Sequence, residues 1–254
     1  MGRILVFPTL LCLLLQQASA LAGPRVLRVG VFHHPPYMIV EDGKISGTDV
    51  ELARLVLERA GYRVEFLVRP PARGLREVAT GELDALPGIG LTPDRERILW
   101  YGSPIHAKMS QAFTLGSDVA RIGTPEALLG LGEPVGFIRG FRFGERLDGL
   151  REALREKGLA EEEADIADNI RKLLARRIAA FVDMRDPGLH EIEKMGLSGQ
   201  VVPLGEPEFM GWAYLALSRK TCTRADLERV DRALAALRRE GLVPPLEPAG
   251  KAGR

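Results

Sequence analysis

Thr92, Pro93, Asp94 and Arg95 follow directly on a glycine-rich stretch, Gly88-Ile89-Gly90-Leu91, and their types and spacing fit an anion site. Thr92 suits a helix N-cap, because its hydroxyl accepts from a free amide of the first turn. Pro93 suits the first helical position, where no N–H is needed. Arg95 then falls in that first turn, where a cation opposes the helix dipole. Its guanidinium and the free amides together supply the donors and positive potential that a carboxylate takes up. A surface arginine on a short helix explains the local sequence equally well. Asp183 is the second candidate. It follows the apolar run Ala179-Ala180-Phe181-Val182, so its carboxylate ends a buried strand and either faces a cleft or caps the next helix. Asp186, standing before Pro187, competes for the cap, which favours the cleft for Asp183. A cation at one end of a cleft and a carboxylate at the other would offset the dehydration of a zwitterion.

Other chemistries find less support. The four histidines, His33, His34, His106 and His190, show no zinc-ligand spacing, and no metal is expected. His33 and His34 adjoin on an extended segment, where successive side chains face opposite sides. There is no Gly-x-Ser-x-Gly elbow and no phosphate loop, and no cofactor is expected. With 35 basic residues against 34 acidic ones, the charge balance gives no reason to expect a nucleic acid or an anionic membrane as partner.

The N-terminus reads as a secretory leader. Arg3 supplies a positive start, residues 4–15 an apolar core, and Ala18-Ser19-Ala20 a small-x-small cleavage site, so maturation is expected after Ala20 and the mature protein in the periplasm. Cys12 would leave with the leader. Cys222 is then the one thiol of the mature chain, which leaves no disulfide within it.

The elements that must position the candidate residues alternate in type. Strands are read at 26–32, 63–68 and 83–86, with helices at 50–60 and 72–80 between them; Thr48 and Glu51 form a capping box for the first helix. Residues 113–115 read as extended, and a Gly/Pro-rich stretch over 123–134 breaks the regularity. Further strands are read at 135–138, 178–182, 200–204 and 212–217. Helices are read at 145–157, 169–175, 187–195 and 224–240, the last capped by Thr223 and stopped by Gly241. Such alternation implies parallel strands joined by crossover helices, an α/β fold.

Taken together, these segments resemble the extracytoplasmic solute-binding proteins of polar amino-acid ABC transporters. The resemblance rests on Leu27-Arg28-Val29-Gly30-Val31 leading to Pro35-Pro36-Tyr37, on Gly47-Thr48-Asp49-Val50-Glu51, and on Gly81-Glu82-Leu83-Asp84-Ala85. Thr92-Pro93-Asp94-Arg95, Ser103-Pro104, Val135-Gly136-Phe137-Ile138-Arg139-Gly140 and the segment ending at Asp183 complete it. It implies a two-lobed, type II periplasmic-binding fold. One lobe would comprise residues 25–109 and 211–254, the other 110–210, with a small solute captured in the cleft by hinge bending. It also implies roles. Arg95 would hold an α-carboxylate and Asp183 an α-ammonium, Gly88 and Gly90 would offer backbone groups, and His34, or else His33, would pack on the ligand. Thr92 belongs to the same motif.

Two departures concern ligand identity. Gly90 stands where many members carry a hydroxyl, and Gly140-Phe141-Arg142 replaces a Gly-Thr-Thr or Gly-Ser turn. Phe141 would stack on a ligand or pack under the next helix. Arg142 would add a second cation, suited to a dianion, or lie in solvent. Arg73, at a helix start, is a lesser candidate for the cleft. The resemblance implies a monomer handing an amino-acid-like solute to an ABC permease. The same fold also carries periplasmic cyclohexadienyl (prephenate or arogenate) dehydratases, for which Asp183 would be the acid, and a ligand-sensing receptor module is a third reading.

Overall fold

The computed structural model describes residues 23–246; the leader and Cys12 lie outside them. The chain opens with β1 (Val26–Val31), whose Leu27, Val29 and Val31 are buried. A small hairpin, β2 (Ile39–Glu41) and β3 (Lys44–Ser46), leads into α1 (Thr48–Arg59), which turns Val50, Ala53, Val56 and Leu57 inward. The capping box read at Thr48 and Glu51 does not form: Gly47 is the N-cap, with no side-chain cap bond. The backbone at Gly47 has φ +114°, and a Cβ there would stand 2.5 Å from the Tyr37 carbonyl oxygen, so the close approach of the Tyr37 segment dictates glycine.

Next come β4 (Arg63–Val68), α2 (Pro71–Thr80) closed by left-handed Gly81, and β5 (Ala85–Gly90). The order β4-β1-β5 is parallel throughout, as the crossover helices require. α3 (Pro93–Glu96) and β6 (Leu99–Trp100) then lead to β7 (Pro104–Leu115), a strand of 12 residues where sequence periodicity reads only 113–115 as extended.

After two short helical turns, α4 (Val119–Ile122) and α5 (Leu128–Leu131), a second α/β unit begins. It contains β8 (Val135–Ile138), α6 (Glu145–Glu156), β9 (Ala160–Glu163), α7 (Ile166–Leu174), β10 (Ala180–Met184) and α8 (Arg185–Lys194). β9 has the sequence Ala-Glu-Glu-Glu, which carries no strand pattern. It forms as an edge by pairing in parallel with β8, and Lys172 neutralises Glu161 and Glu163 on it. The two segments read at 200–204 and 212–217 are one strand, β11 (Val201–Ser218), and the chain closes its fold with α9 (Arg224–Arg239).

β7 and β11 pair antiparallel from Val201↔Leu115 to Tyr214↔Pro104, with register shifts between Leu204 and Glu208, Phe209 and Gly211, and Ala213 and Tyr214. Their two ends lie in different hydrophobic clusters. Leu215, Leu217 and Ile105 pack with β1 and α1 residues and with α9. Ala112 and Leu204 pack with β8, β10 and α6. The result is one nine-stranded sheet, β4-β1-β5-β11-β7-β10-β8-β9 with β6 on β11, in which the two long strands carry the connection. Among the described residues no helix is long and apolar enough to cross a membrane.

Asp226 ties the last helix to the first unit. It accepts from the Tyr62 hydroxyl at 2.5 Å and the Thr223 amide at 2.7 Å, and it pairs with Arg229. Burial alone would raise its pKa, but these donors outweigh burial and hold it well below the ordinary 3.8. A depressed folded pKa gives stability that is fully present above the ordinary carboxylate range and is lost progressively as pH falls below that range toward the depressed value. Asp226→Ala is therefore expected to cost about 2–4 kcal/mol at pH 7 in chemical denaturation, with a smaller difference from wild type at pH 3.

Candidate functional site

β5 supplies the floor of the site. Gly88 has φ +68°, and a Cβ there would lie 2.5 Å from Asp49 Oδ2, so α1 can approach the strand only because this residue is glycine. Thr92 caps α3 as read, its Oγ1 accepting from the Arg95 amide at 3.4 Å. The cap directs Arg95 back over the strand end, where Nη1 donates to the Gly90 carbonyl at 3.0 Å. Tyr101 donates to the same oxygen at 3.2 Å. Lys108 arrives from β7. A Cβ built on Gly90 would stand 3.4 Å from Lys108 Nζ and 3.9 Å from Arg95 Nη1.

Gly88, Gly90, Arg95 and Lys108 thus border one recess of about 160 Å³, whose apolar wall includes Phe32, Leu86 and Ile89. Among the described residues, neither Arg95 nor Lys108 forms an ion pair with a carboxylate. Burial, and then the charge of Arg95, push the Lys108 ammonium below the ordinary lysine range. Arg69 borders the recess too, but its Nε is held by Glu77 at 2.7 Å. Arg73 pairs with the same carboxylate at 2.5 Å.

His34 stacks on Phe32, with ring centroids 5.8 Å apart, and so stands behind that wall. Burial, and then Lys108, hold its imidazole below the usual range and favour the neutral form. His33 is exposed and accepts from the Val40 amide at 3.2 Å. Beyond His34 lies a second constellation. Tyr37 stacks on His106 at 4.7 Å with 7° between the rings, and His106 Nε2 meets Asp49 Oδ1 at 3.1 Å. Burial would lower the His106 pKa, but the Asp49 carboxylate and the Ala107 carbonyl outweigh it and raise it. The Tyr37 hydroxyl donates to Asp186 Oδ2 on α8 at 2.9 Å, which links the N-terminal segment to the second unit. Tyr37, Asp49, His106 and Asp186 border a separate recess.

Three of the sequence candidates lie elsewhere. Asp183 is 2% exposed near the end of β10, opposite Gln111, and is not part of the wall that Arg95 and the two glycines share. Its Oδ1 accepts from the Met184 amide at 2.6 Å, while Oδ2 is buried with no partner. Burial pushes its pKa up to about 7, against the pull of the Met184 amide. Neither Asp183 nor Asp186 caps α8, which starts at Arg185 with no side-chain cap. Phe141 is 39% exposed. The Arg142 side chain is 91% exposed and 3.9 Å from Asp148, and both residues line a shallow groove of their own with Arg151 and Glu152.

Lys108 was missed by sequence reading. The one available signal was a lone cation in the otherwise apolar and small-polar stretch that forms β7. Tyr37 was read only as part of the resemblance, because a Pro-Pro-Tyr loop gives no local sign of a partner more than a hundred residues away. Among the described residues, no group of three or more His, Cys, Asp or Glu is placed to hold a metal. The arrangement around Gly90 can bind and orient an anion: two cations converge at a glycine strand end beside an apolar wall.

Comparison with known proteins bears on the fold and the family. The second substrate-binding domain of GlnP from Lactococcus lactis, in an open conformation, superposes with a TM-score of 0.70 at 21% identity, covering 87% of this chain and 92% of that one. A polar amino-acid ABC uptake transporter substrate-binding protein from Streptococcus thermophilus gives 0.67 at 18% identity, over 85% and 82%. A histidine kinase sensor domain similar to periplasmic binding proteins gives 0.60 at 25% identity, over 89% and 99%. No curated protein matches the chain. The fold is therefore that of the type II periplasmic binding proteins. The profile of one family matches residues 27–246, and the chain belongs to the bacterial extracellular solute-binding proteins, family 3.

Proposed function

We propose that the protein captures a small amino-acid-like solute between two lobes, residues 25–109 with 211–254 and residues 110–210. We further propose that it works in the periplasm, secreted by the leader ending at Ala20, as a monomer that hands the solute to an ABC permease. The observation that carries this reading is the recess in which Arg95, Gly88 and Gly90 meet. Arg95 takes the solute carboxylate in a bidentate contact, with the backbone at the end of β5 completing its shell. Phe32, backed by His34, covers the aliphatic part. Asp183 is the group reserved for the solute ammonium. It has a buried, unpartnered oxygen that a closing hinge and a cationic ligand would satisfy. Phe141 and Arg142, in a groove of their own, take no part in this reading.

The likeness to a kinase sensor domain supports a second reading, in which the same capture is reported to a separate sensor. Transport and sensing share the binding step and differ only in the partner, so binding is tested first.

Arg95→Ala is expected to weaken binding of the best amino-acid ligand by about 2–5 kcal/mol in calorimetry, because it leaves a desolvated carboxylate unpaired. Unchanged affinity would remove Arg95 from the site. Turnover of prephenate or arogenate in the same samples would replace the transport reading with the dehydratase one.

Asp183 gives a prediction that couples stability to function. Its folded pKa of about 7 lies above the ordinary 3.8, so the folded state holds the proton more tightly. The resulting penalty begins above the ordinary carboxylate range and is complete above about pH 7. Asp183→Asn is expected to stabilise the ligand-free protein by about 1–3 kcal/mol at pH 8 and by less at pH 5, read by chemical denaturation. The same variant is expected to lose affinity for amine-bearing solutes and to spare those lacking an amine. Equal loss for both classes would count against the ammonium role.

A further inference from the structure

Lys108 has no role in the reading above, yet its position calls for one. It stands on β7 opposite Gly211, a residue with φ +120° at a register shift, so the facing strand offers it no side-chain partner. Its stem is largely buried, and its ammonium comes to the strand end where the Arg95 guanidinium already sits. Arg69, the other cation at this recess, is neutralised by Glu77. Asp49, the carboxylate that acts on Lys108 from α1, is engaged by His106. Two adjacent, partly buried cations repel, and the scaffold gains nothing from that repulsion; a methionine would fill the same volume without it. An anion between them turns the repulsion into two attractions.

We propose that Lys108 is a specificity-determining residue of this recess and that, with Arg95, it selects a small solute bearing two carboxylates. The inference rests on the binding reading above and deepens it. Arg95 holds one carboxylate against the end of β5, and Lys108 holds the second. The short apolar wall of Phe32, Leu86 and Ile89 takes the aliphatic spacer between them. The depressed basicity of Lys108 agrees with this, since the bound dianion restores the charged form.

The test is calorimetry of the full mature chain with three probes of similar size: L-glutamate and glutarate, which carry two carboxylates, and L-glutamine, which carries one. Wild type is expected to bind a dicarboxylate at least tenfold more tightly than glutamine. Lys108→Met is expected to lower dicarboxylate affinity at least tenfold while changing glutamine affinity less than threefold. Lys108→Arg, which keeps the charge, is expected to restore at least part of the dicarboxylate preference and controls for misfolding. Wild type that prefers glutamine, or Lys108→Met that leaves the ratio between the two classes unchanged, overturns the inference and leaves the amino-acid-binding reading standing. Failure of all three probes and of the other proteinogenic amino acids to bind would overturn both.

Discussion

The antiparallel pairing of β7 with β11 is the constraint on which the rest of the structure depends. These strands of 12 and 18 residues are shared by the two units, and each contributes one end to each set of hydrophobic clusters. The ladder therefore fixes where the units meet. It also delivers His106 and Lys108 to that meeting place, since both stand on the stretch of β7 between the clusters. The register shifts fall in this same stretch. A shift relaxes the strict alternation of side chains and lets the sheet bend locally. The Tyr37–Asp186 hydrogen bond spans the same junction from outside the sheet.

The charges divide into two kinds. Scaffold carboxylates are saturated: Asp84 accepts from Arg28 Nε and the Arg28 amide, both at 2.9 Å, and Asp226 is held by three residues. Glu208 closes the start of α6 by accepting from the Arg146 and Leu147 amides at 2.9 and 2.8 Å. Arg95, Lys108 and Asp183 are different. Each is at least half-buried, and none forms an ion pair among the described residues. Burial without a charged partner costs free energy at each of these three residues, whereas Asp84 and Asp226 are compensated by the cations beside them.

Much of this was legible in the sequence where the signal is local. The Thr92-Pro93 helix start and the Thr223 cap need only neighbours in the chain, and both form; Asp226 completes a capping box at Thr223. Thr48 carried the same local signal and lost it, because Gly47 must pass within reach of the Tyr37 backbone and takes the cap position itself. Strand lengths were read short at β5, β7 and β11, since glycine, proline and lysine interrupt the apolar pattern in segments whose pairing is set by distant partners. β9 had no pattern at all and exists through its pairing with β8. At the site, the arginine and the glycines of one continuous segment could be read together. Lys108 could not, because only the β7–β11 ladder brings it to Gly90.

The central claim is that the recess at Gly90 receives the solute carboxylate. It is tested most directly by a crystal structure of the protein grown with its tightest-binding amino acid or dicarboxylate. The account predicts a ligand carboxylate in bidentate contact with the Arg95 guanidinium, at the end of β5. A ligand lodged instead in the groove of Phe141 and Arg142, or in the recess bordered by Tyr37 and His106, with Arg95 still turned onto the Gly90 carbonyl alone, would contradict it.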